Sequence, residues 1–197
     1  VGAMKIGNAI LTREILQENI EGAFAKVIYQ DKNYGKGAAL RSGFSAATKS
    51  IVIVQDADFE YDPRDYPFMI EPIIENKADV VYGSRFKGNR PHRVLYFWHR
   101  LGNGLLTFTS NMFTNLNLSD METGYKLFRR EVLENLTIHA RRFDFEPEIT
   151  AKLLKRKVRL YEVPIAFNPR DYSEGKKIGF WDGVEAMWTL IKYRFVD

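Results

Sequence analysis

The sequence predicts an α/β domain, and three observations favour that class. Ile51–Val54 is an uninterrupted Ile/Val run, which suits a buried parallel strand. The residues before this run have the order of a βαβ unit. They predict a short strand at Ala25–Gln30, a turn containing Gly35 and Gly37, and a helix rich in small residues. No repeat, low-complexity tract or Pro/Gly-rich linker interrupts residues 1–197, so we expect one continuous domain.

The other elements follow from hydrophobic periodicity and from the start and stop signals of helices. Thr12 is the expected N-cap of the first helix. A helix is expected to continue across Pro72, and the apolar residues near the C-terminus recur at helical spacing. The predicted segments are helices over Thr12–Asn19, Asp65–Asn76 and Phe145–Lys157, strands over Ala78–Gly83 and Val158–Phe167, aromatic-rich helical stretches over Pro91–Leu118, and an amphipathic helix within residues 178–197.

The composition is that of a globular protein, because 45% of the 197 residues are hydrophobic and 27% are charged. The net charge of +4 suits a phosphate-bearing partner or an anionic membrane surface and is too small to indicate nucleic acid. The absence of cysteine excludes disulfides and thiolate metal sites and agrees with a cytoplasmic compartment. No apolar run approaches the roughly 18 residues of a spanning helix, and no secretory signal follows Val1.

Two carboxylates follow the Ile/Val run, where Asp56 and Asp58 are separated only by Ala57. In an open α/β sheet the carboxyl ends of the strands face the ligand crevice. Carboxylates this close repel each other unless a cation lies beside them, and Mg²⁺ or Mn²⁺ carrying phosphate oxygens meets that need. Taken alone, the motif is equally consistent with solvated aspartates in a turn.

Six stretches between about Asn33 and Lys177 carry a more specific resemblance. In this order they resemble the family-2 glycosyltransferases of the dolichyl-phosphate mannose synthase type. The resemblance implies a GT-A fold, which is a Rossmann-like mixed sheet flanked by helices. It also implies an inverting transfer of mannose or glucose from GDP-mannose or a UDP-hexose to a polyprenyl (dolichyl or undecaprenyl) phosphate. The stretches are NYGKGAALRSGF, VIVQDADFEYDP, DVVYGSRF, SDMETGYKLFRR, FDFEPEI and YEVPIAFNPRDYSEGKK.

The N-terminal residues depart from this family. Its members begin with a strand and a Tyr-Asn-Glu-like loop, followed by a strand that ends in a paired-Asp, Gly and Ser motif. The eleven residues before Thr12 contain neither, although TREILQE is similar to the helix that follows that motif. Either the protein is truncated here, or a segment is absent from the printed sequence and its flanks are joined. We favour the second, because a sheet without its first strands would expose a long apolar edge.

The resemblance assigns the metal site to the acidic motif. Asp58 is the expected ligand of a Mg²⁺ or Mn²⁺ ion that also binds the donor's diphosphate, and the ion neutralises charge on the departing nucleoside diphosphate. Asp56 is expected nearer the ribose or the sugar, supporting the same cation. Glu60 is a third candidate ligand, and a solvated loop acid is as good an interpretation of it.

Basic residues are the expected phosphate contacts. Arg85 follows a predicted buried strand, where its guanidinium is suited to a bidentate contact with phosphate. Arg170, Ser173 and Lys176 lie on a polar loop that, by the resemblance, closes over the donor and acceptor phosphates and excludes water. Lys36 is a further candidate for a phosphate contact, with a basic turn residue as the simpler interpretation.

On the acceptor side the resemblance points to Asp120 and Glu122. A sugar-hydroxyl acceptor requires a general base, for which Glu122 is the first candidate. A polyprenyl phosphate oxygen is already anionic, so in that case the carboxylate would only position the acceptor or a cationic side chain. The second of these acceptors would fit a peripheral enzyme at the cytoplasmic face of a membrane, with the aromatic helical stretch and the C-terminal helix as interfacial candidates.

Other classes remain open from the residues alone. A strand that ends in two spaced aspartates also occurs in phosphatases that use the first Asp as nucleophile. Those proteins usually have Thr or Val where this chain has Glu60, together with a later paired acidic motif that we do not find. A third alternative is an inactive domain that binds lipid or a partner but no nucleotide. The three histidines show no short ligand spacing and are not expected to bind metal.

Overall fold

The computed structural model describes residues 3–4, 27–56, 58–88, 93–94, 96–134, 136–142, 144–169 and 180–196. Within these ranges the chain forms a mixed sheet flanked by helices, which confirms the predicted α/β class. The strands are β1 (Ala3–Met4), β2 (Ile51–Ile53), β3 (Gln55–Asp56), β4 (Val80–Ser84), β5 (Lys126–Arg129) and β6 (Leu160–Pro164). The helices are α1 (Lys36–Ala46), α2 (Tyr66–Ile74), α3 (Phe97–Thr114), α4 (Arg130–Glu134), α5 (Phe145–Lys155) and α6 (Phe180–Phe195), and a 3₁₀ turn covers Pro63–Asp65.

The central sheet has four strands in the order β2-β5-β4-β6. Strand β5 is antiparallel to both of its neighbours, whereas β4 and β6 are parallel. Strand β3 follows β2 after Val54 and pairs in parallel with β1, so that Met4 lies opposite Asp56. The expectation of a parallel strand at Ile51–Val54 is therefore wrong for β2, whose described partner is antiparallel. A run of Ile and Val indicates that a strand is buried, which is typical of parallel strands, but an antiparallel strand covered by helices on both faces has the same composition.

Alternate residues of the sheet face two apolar layers, as the period of two along a strand requires. Val80, Tyr82 and Phe128 pack into a cluster with residues of α5 and α6. Val81 and Leu127 face the opposite side, where they pack with residues of α2. The sheet is thus covered by helices on both faces, and its strand ends remain at the edges of the layers.

Most of the predicted elements are present, with shifted ends. The helix that contains Pro72 forms, as do the predicted helices that correspond to α5 and α6 and the predicted strands that correspond to β4 and β6. The predicted strand at Ala25–Gln30 is wrong for residues 27–30, which form neither strand nor helix, and residues 25 and 26 lie outside the described residues. The predicted helix over Thr12–Asn19 lies outside them as well. We predicted no strand before Thr12, whereas Ala3–Met4 forms β1.

The helices of the described ranges include none that is both long and apolar enough to cross a bilayer.

Candidate functional site

The acidic turn follows β3 at the end of the Ile/Val run. Asp58 accepts a hydrogen bond from the Glu60 backbone N–H at 3.3 Å, and Phe59 between them has a positive φ of 60° and an 85% exposed side chain. The Glu60 carbonyl accepts a hydrogen bond from the Asn168 N–H at 2.9 Å. The turn is therefore tied to the segment that follows β6, while its tip faces solvent.

A buried lysine links this turn to helix α5. Lys36 Nζ lies 2.8 Å from Asp56 Oδ2 and 2.9 Å from Glu146 Oε1, and the side chains of Lys36 and Glu146 are 13% and 5% exposed. Burial alone would lower the pKa of Lys36, but Glu146 and Asp56 outweigh it and raise that pKa above its usual value. Lys36 is therefore a permanent cation held by two carboxylates.

A second ion pair fixes the loop between α3 and β5. Arg85 donates from Nε to Asp120 Oδ2 at 2.7 Å and from Nη2 to Asp120 Oδ1 at 2.6 Å. The same Nη2 reaches Asn103 Oδ1 at 3.1 Å, and the Arg85 backbone N–H also donates to Asp120. Burial would lower the pKa of Arg85, and the Asp120 carboxylate raises it on balance. This bidentate geometry uses the guanidinium edge that we expected to contact phosphate.

Glu122 lies in the loop before β5 and Lys126 lies in β5, and the pKa values of both are shifted. Glu122 Oε1 is buried and has no hydrogen-bond partner among the described residues. Burial, with a further contribution from Glu146, raises the pKa of Glu122 to about 7, although Lys126 and Arg85 oppose the rise. Lys126 Nζ donates to the carbonyls of Met121 and Thr123, and burial lowers its pKa to about 8. A carboxyl that titrates near neutral pH suits general acid–base work.

The loop around Asp120 is held rigidly from strand β6. Glu162 accepts hydrogen bonds from the backbone N–H groups of Ser119 at 2.9 Å and of Asp120 at 3.2 Å. The Ser119 hydroxyl lies 2.7 Å from that of Ser84 at the end of β4. These contacts give the loop a defined position next to the strand ends, as a preorganised site requires.

The donor atoms of the acidic turn fit a divalent ion only in part. Asp58 offers a partly exposed carboxylate of the kind that Mg²⁺ and Mn²⁺ prefer. Asp56 is already paired with a cation, and the described part of the chain contains no group of three His, Cys, Asp or Glu side chains that could hold a metal ion. A preformed set of Asp56, Asp58 and Glu60 is therefore not found, and Asp58 with the oxygens of a bound diphosphate is the arrangement that fits.

The structure brings some of the predicted site residues together. Lys36 contacts Asp56, and Arg85 contacts Asp120. Sequence reasoning missed three residues that lie close to these predicted ones: Glu146, Lys126 and Gly124. Their sequence signals were weak, because Glu146 is one of several charged residues in its helix, Lys126 is the first residue of β5, and Gly124 is a glycine just before that strand. Three of the other predicted residues, Arg170, Ser173 and Lys176, lie outside the described residues.

Comparison with known proteins shows the family of this chain. The family model described as glycosyl transferase family 2 matches residues 10–137. The dolichol-phosphate mannosyltransferase of Pyrococcus furiosus is 30% identical over 172 residues, which cover 85% of this chain and 48% of that protein. The polyprenol monophosphomannose synthase of Mycolicibacterium smegmatis is 27% identical over 163 residues, which cover 78% of this chain and 60% of the relative.

A solved structure shows the fold. Glucosyl-3-phosphoglycerate synthase from Mycobacterium tuberculosis, crystallised with Mn²⁺, UDP-glucose and phosphoglyceric acid, superposes with a TM-score of 0.61 at 16% identity over 87% of this chain and 57% of that one. The chain spans about half to three fifths of the length of these three proteins. The match to a transferase family sets aside the phosphatase alternative. With its family match over residues 10–137 and its GT-A architecture, the chain belongs to glycosyl transferase family 2.

Proposed function

We propose that this chain is the catalytic domain of an inverting glycosyltransferase that moves a hexose, mannose or glucose, from a nucleotide sugar to a polyprenyl phosphate. GDP-mannose or a UDP-hexose is the donor, and a dolichyl or undecaprenyl phosphate is the acceptor. The observation that carries the proposal is that Lys36, itself paired with Glu146, and the loop of Gly124 meet at Asp56, two residues before Asp58. The relatives named for dolichol phosphate and polyprenol phosphate support the acceptor class.

The donor site requires a divalent cation in this proposal. Asp58 would hold Mg²⁺ or Mn²⁺ together with the two phosphates of the donor, because such ions take oxygen ligands and Mg²⁺ usually keeps part of its water shell. When bound, the ion neutralises the charge that develops on the departing nucleoside diphosphate. Glu60 would also shape the turn, since its N–H donates to Asp58.

The other phosphate contacts would come from Arg85 and from Arg170, Ser173 and Lys176. Arg85 fixes Asp120, so a phosphate contact from its guanidinium would use Nη1. Arg170, Ser173 and Lys176 would bind the donor and acceptor phosphates and exclude water from them, as the family resemblance implies. A polyprenyl phosphate needs no general base, because its attacking oxygen is already anionic near neutral pH.

One observation favours a second candidate function, transfer to a sugar hydroxyl. A hydroxyl acceptor must lose a proton, and Glu122 has both a pKa of about 7 and a buried oxygen without a partner among the described residues. A base whose pKa is near the working pH is the most effective one. With this acceptor Glu122 would be the base, and its replacement by Gln would abolish transfer, whereas transfer to a phosphate would persist.

A lipid acceptor would place the enzyme at a membrane, and helix α3 offers a surface for that contact. Its exposed apolar residues recur at spacings of three and four, as one face of a helix does. Arg100 lies on the exposed part of the same helix and would attract anionic headgroups at the cytoplasmic face. We call this surface the α3 stripe; it comprises Phe97, Leu101, Leu105, Phe108 and Met112.

Sedimentation with lipid vesicles tests the α3 stripe. The protein should co-sediment with vesicles that contain phosphatidylglycerol, and the double substitution Leu105→Asp and Phe108→Asp should abolish this. Ile74→Asp, at an exposed apolar residue of α2, is the matched control and should leave binding unchanged. Unaltered sedimentation of the α3 double variant would count against a membrane role for this surface.

A transfer assay with the full-length protein tests the reaction itself. GDP-mannose, UDP-glucose and UDP-N-acetylglucosamine would each be supplied with Mn²⁺ or Mg²⁺ and a short polyprenyl phosphate, and labelled glycolipid would be extracted into organic solvent. Parallel reactions with sugar acceptors test the second candidate. Asp58→Asn should abolish transfer, with Asp62→Asn as the control on the same loop. If no product forms and calorimetry with GDP, UDP and Mn²⁺ shows no heat, the inactive binding domain is the better description.

A further inference from the structure

Lys36 is enclosed in a way that a phosphate-binding lysine is not. Its ammonium group has two charge-assisted contacts of 2.8 and 2.9 Å, and both acceptors are carboxylates. If the Lys36 ammonium group moved to a phosphate, Asp56 and the buried Glu146 would lose their counter-ion. Breaking a buried ion pair by removing one partner is strongly destabilising. The geometry therefore opposes the phosphate role that the sequence suggested for Lys36.

Two glycines build this enclosure. Gly35 has a positive φ of 92°, and a Cβ on Gly37 would lie 2.5 Å from the carbonyl oxygen of Ala140. Only glycine permits the first turn of α1 to approach the backbone of residues 138–141 so closely. Because that backbone leads into α5, the approach places Lys36 beside Glu146 in the first turn of that helix.

A second ion pair stiffens the backbone on which α1 rests. Glu148 accepts hydrogen bonds from the N–H groups of His139 at 2.8 Å and Ala140 at 2.5 Å. Lys152 neutralises Glu148 at 2.9 Å, and both side chains are buried. The backbone of residues 138–141, which α1 contacts, is therefore itself fixed by charge-assisted hydrogen bonds. This limits the freedom of the Lys36 and Glu146 side chains.

Asp56 is confined from its other side by the loop before β5. A Cβ on Gly124 would lie 2.6 Å from Asp56 Oδ2, the same oxygen that Lys36 contacts. Tyr61 keeps the loop in place by accepting the Gly124 N–H at 2.9 Å. The Asp56 oxygen that is paired with Lys36 is thus approached closely by the backbone of Gly124, and any side chain at position 124 would collide with it.

Glu146 is the costly member of this cluster. Its Oε2 is buried without a hydrogen-bond partner among the described residues, although its Oε1 is paired with Lys36. A buried polar atom that is left unsatisfied destabilises the fold. An apolar residue would pack better at this position of α5, so we attribute the presence of Glu146 to its ion pair with Lys36.

We propose that Lys36 and Glu146 are positioning residues, which fix the orientation and the charge of Asp56 so that Asp56 binds the ribose hydroxyl groups of the donor nucleotide. Lys36 acts through Asp56 and does not itself contact the phosphates. Lys36 also reduces the negative charge at Asp56, which leaves Asp58 as the carboxylate for the cation. This inference deepens the proposed function and rests on it.

A double-mutant cycle tests whether Lys36 acts through Asp56. Calorimetry with GDP and with UDP, each in the presence of Mn²⁺, would measure the dissociation constants of the wild type, Lys36→Met, Asp56→Asn and the double variant. We expect each single substitution to weaken binding about tenfold, the size of one lost charge-assisted contact. The double variant should bind no more than about twofold weaker than Asp56→Asn, because residues that act through one another are not additive. Lys77→Met, whose exposed lysine pairs with Glu75, is the control.

Two variants of Glu146 separate positioning from simple packing. Glu146→Gln keeps an oxygen that accepts from Lys36 and should retain binding within about threefold, whereas Glu146→Ala should weaken binding as much as Lys36→Met does. Equal losses in the two variants would overturn the role of Glu146. Circular dichroism and denaturant unfolding of every variant establish that it is folded before its affinity is interpreted.

The outcomes distinguish this inference from the proposed function. If the wild type binds a nucleotide and the losses of Lys36→Met and Asp56→Asn multiply in the double variant, Lys36 contacts the ligand independently and the positioning role is overturned, while the proposed function stands. If the wild type binds neither nucleotide and forms no glycolipid, the proposed function fails and the positioning role fails with it. Unfolding of the same four proteins without nucleotide should show non-additivity, and its absence would overturn the Lys36–Asp56 contact directly.

Discussion

Substituting Glu122→Gln should remove a loss of stability that the protein otherwise shows between about pH 5 and 7. Burial raises the pKa of Glu122 from its ordinary 4.5 to about 7, with Glu146 adding to the rise. Between these values the folded chain holds a proton that the unfolded chain has released. The free energy of unfolding therefore falls as the pH rises through this window and stays lower above it.

The size of the effect follows from the two pKa values. At about 1.4 kcal/mol for each pH unit between them, the loss amounts to about 3 kcal/mol at pH 8. Glu146, Lys126, Arg85 and Asp120 surround Glu122 electrostatically and adjust to its ionisation, so this figure is an upper bound. Lys126, with its pKa lowered to about 8, contributes with the opposite sign and at higher pH, because there the unfolded chain holds the proton.

Denaturant unfolding at a series of pH values from 4.5 to 8.5, at constant ionic strength, measures this directly. The free energy of the wild type should fall across the window, while that of Glu122→Gln should follow a flatter course and exceed the wild type at pH 8. Glu134→Gln is the matched control, because the Glu134 side chain is 51% exposed, and its curve should run parallel to the wild type. Parallel curves for Glu122→Gln and the wild type would refute the assignment of the titration to Glu122.

Three further substitutions test the backbone and the ion pairs, each by denaturant unfolding. Gly35→Ala should lose about 3 kcal/mol, because its φ is positive and its Cβ would meet a backbone carbonyl, whereas Gly43→Ala, in open space on the same helix, should gain up to about 1 kcal/mol. Asp120→Asn should lose about 3–5 kcal/mol by leaving a buried guanidinium without its partner, whereas Asp62→Asn in an exposed pair should change stability by less than about 1 kcal/mol. Asn115→Val should lose about 1–2 kcal/mol at a left-handed helix end, and unchanged stability there would contradict the assigned backbone conformation.

The elements that the sequence predicts well are those with a strong local signal. Helix α1 follows from Gly35 and a run of small residues, and β4 from its apolar run. The segment Val27–Gln30 has the composition of a strand and is not one, because a strand forms only where a partner offers its backbone groups. The same dependence on a partner explains β1, whose two residues carry no signal and pair with Gln55 and Asp56.

The site could be predicted only in those parts that carry a motif. Asp56 and Asp58 are visible as a pair at the end of an apolar run, and the resemblance adds Arg85 and Glu122. The pairing of Arg85 with Asp120 could not be foreseen, since each side chain is equally suited to binding a ligand. Whether they pair with each other or with a ligand depends on how two loops meet. Their contact is a property of the tertiary structure, and no spacing along the chain reports it.

Buried charges are what distinguish the unpredicted part of the site. Glu146 lies in a helix whose neighbouring residues are all buried, and Lys126 lies in a buried strand, so an apolar residue would suit the local pattern at both positions. A conflict between local pattern and residue type is expected at functional sites, where stability is given up for a specific arrangement of charges. Lys36 resolves the conflict at Glu146 in part, because it supplies one counter-ion to two acids. Burial raises the pKa of Glu122, and the incompletely balanced Glu146 adds to the rise, so the Lys36–Glu146 ion pair and the Glu122 carboxyl are parts of one electrostatic unit.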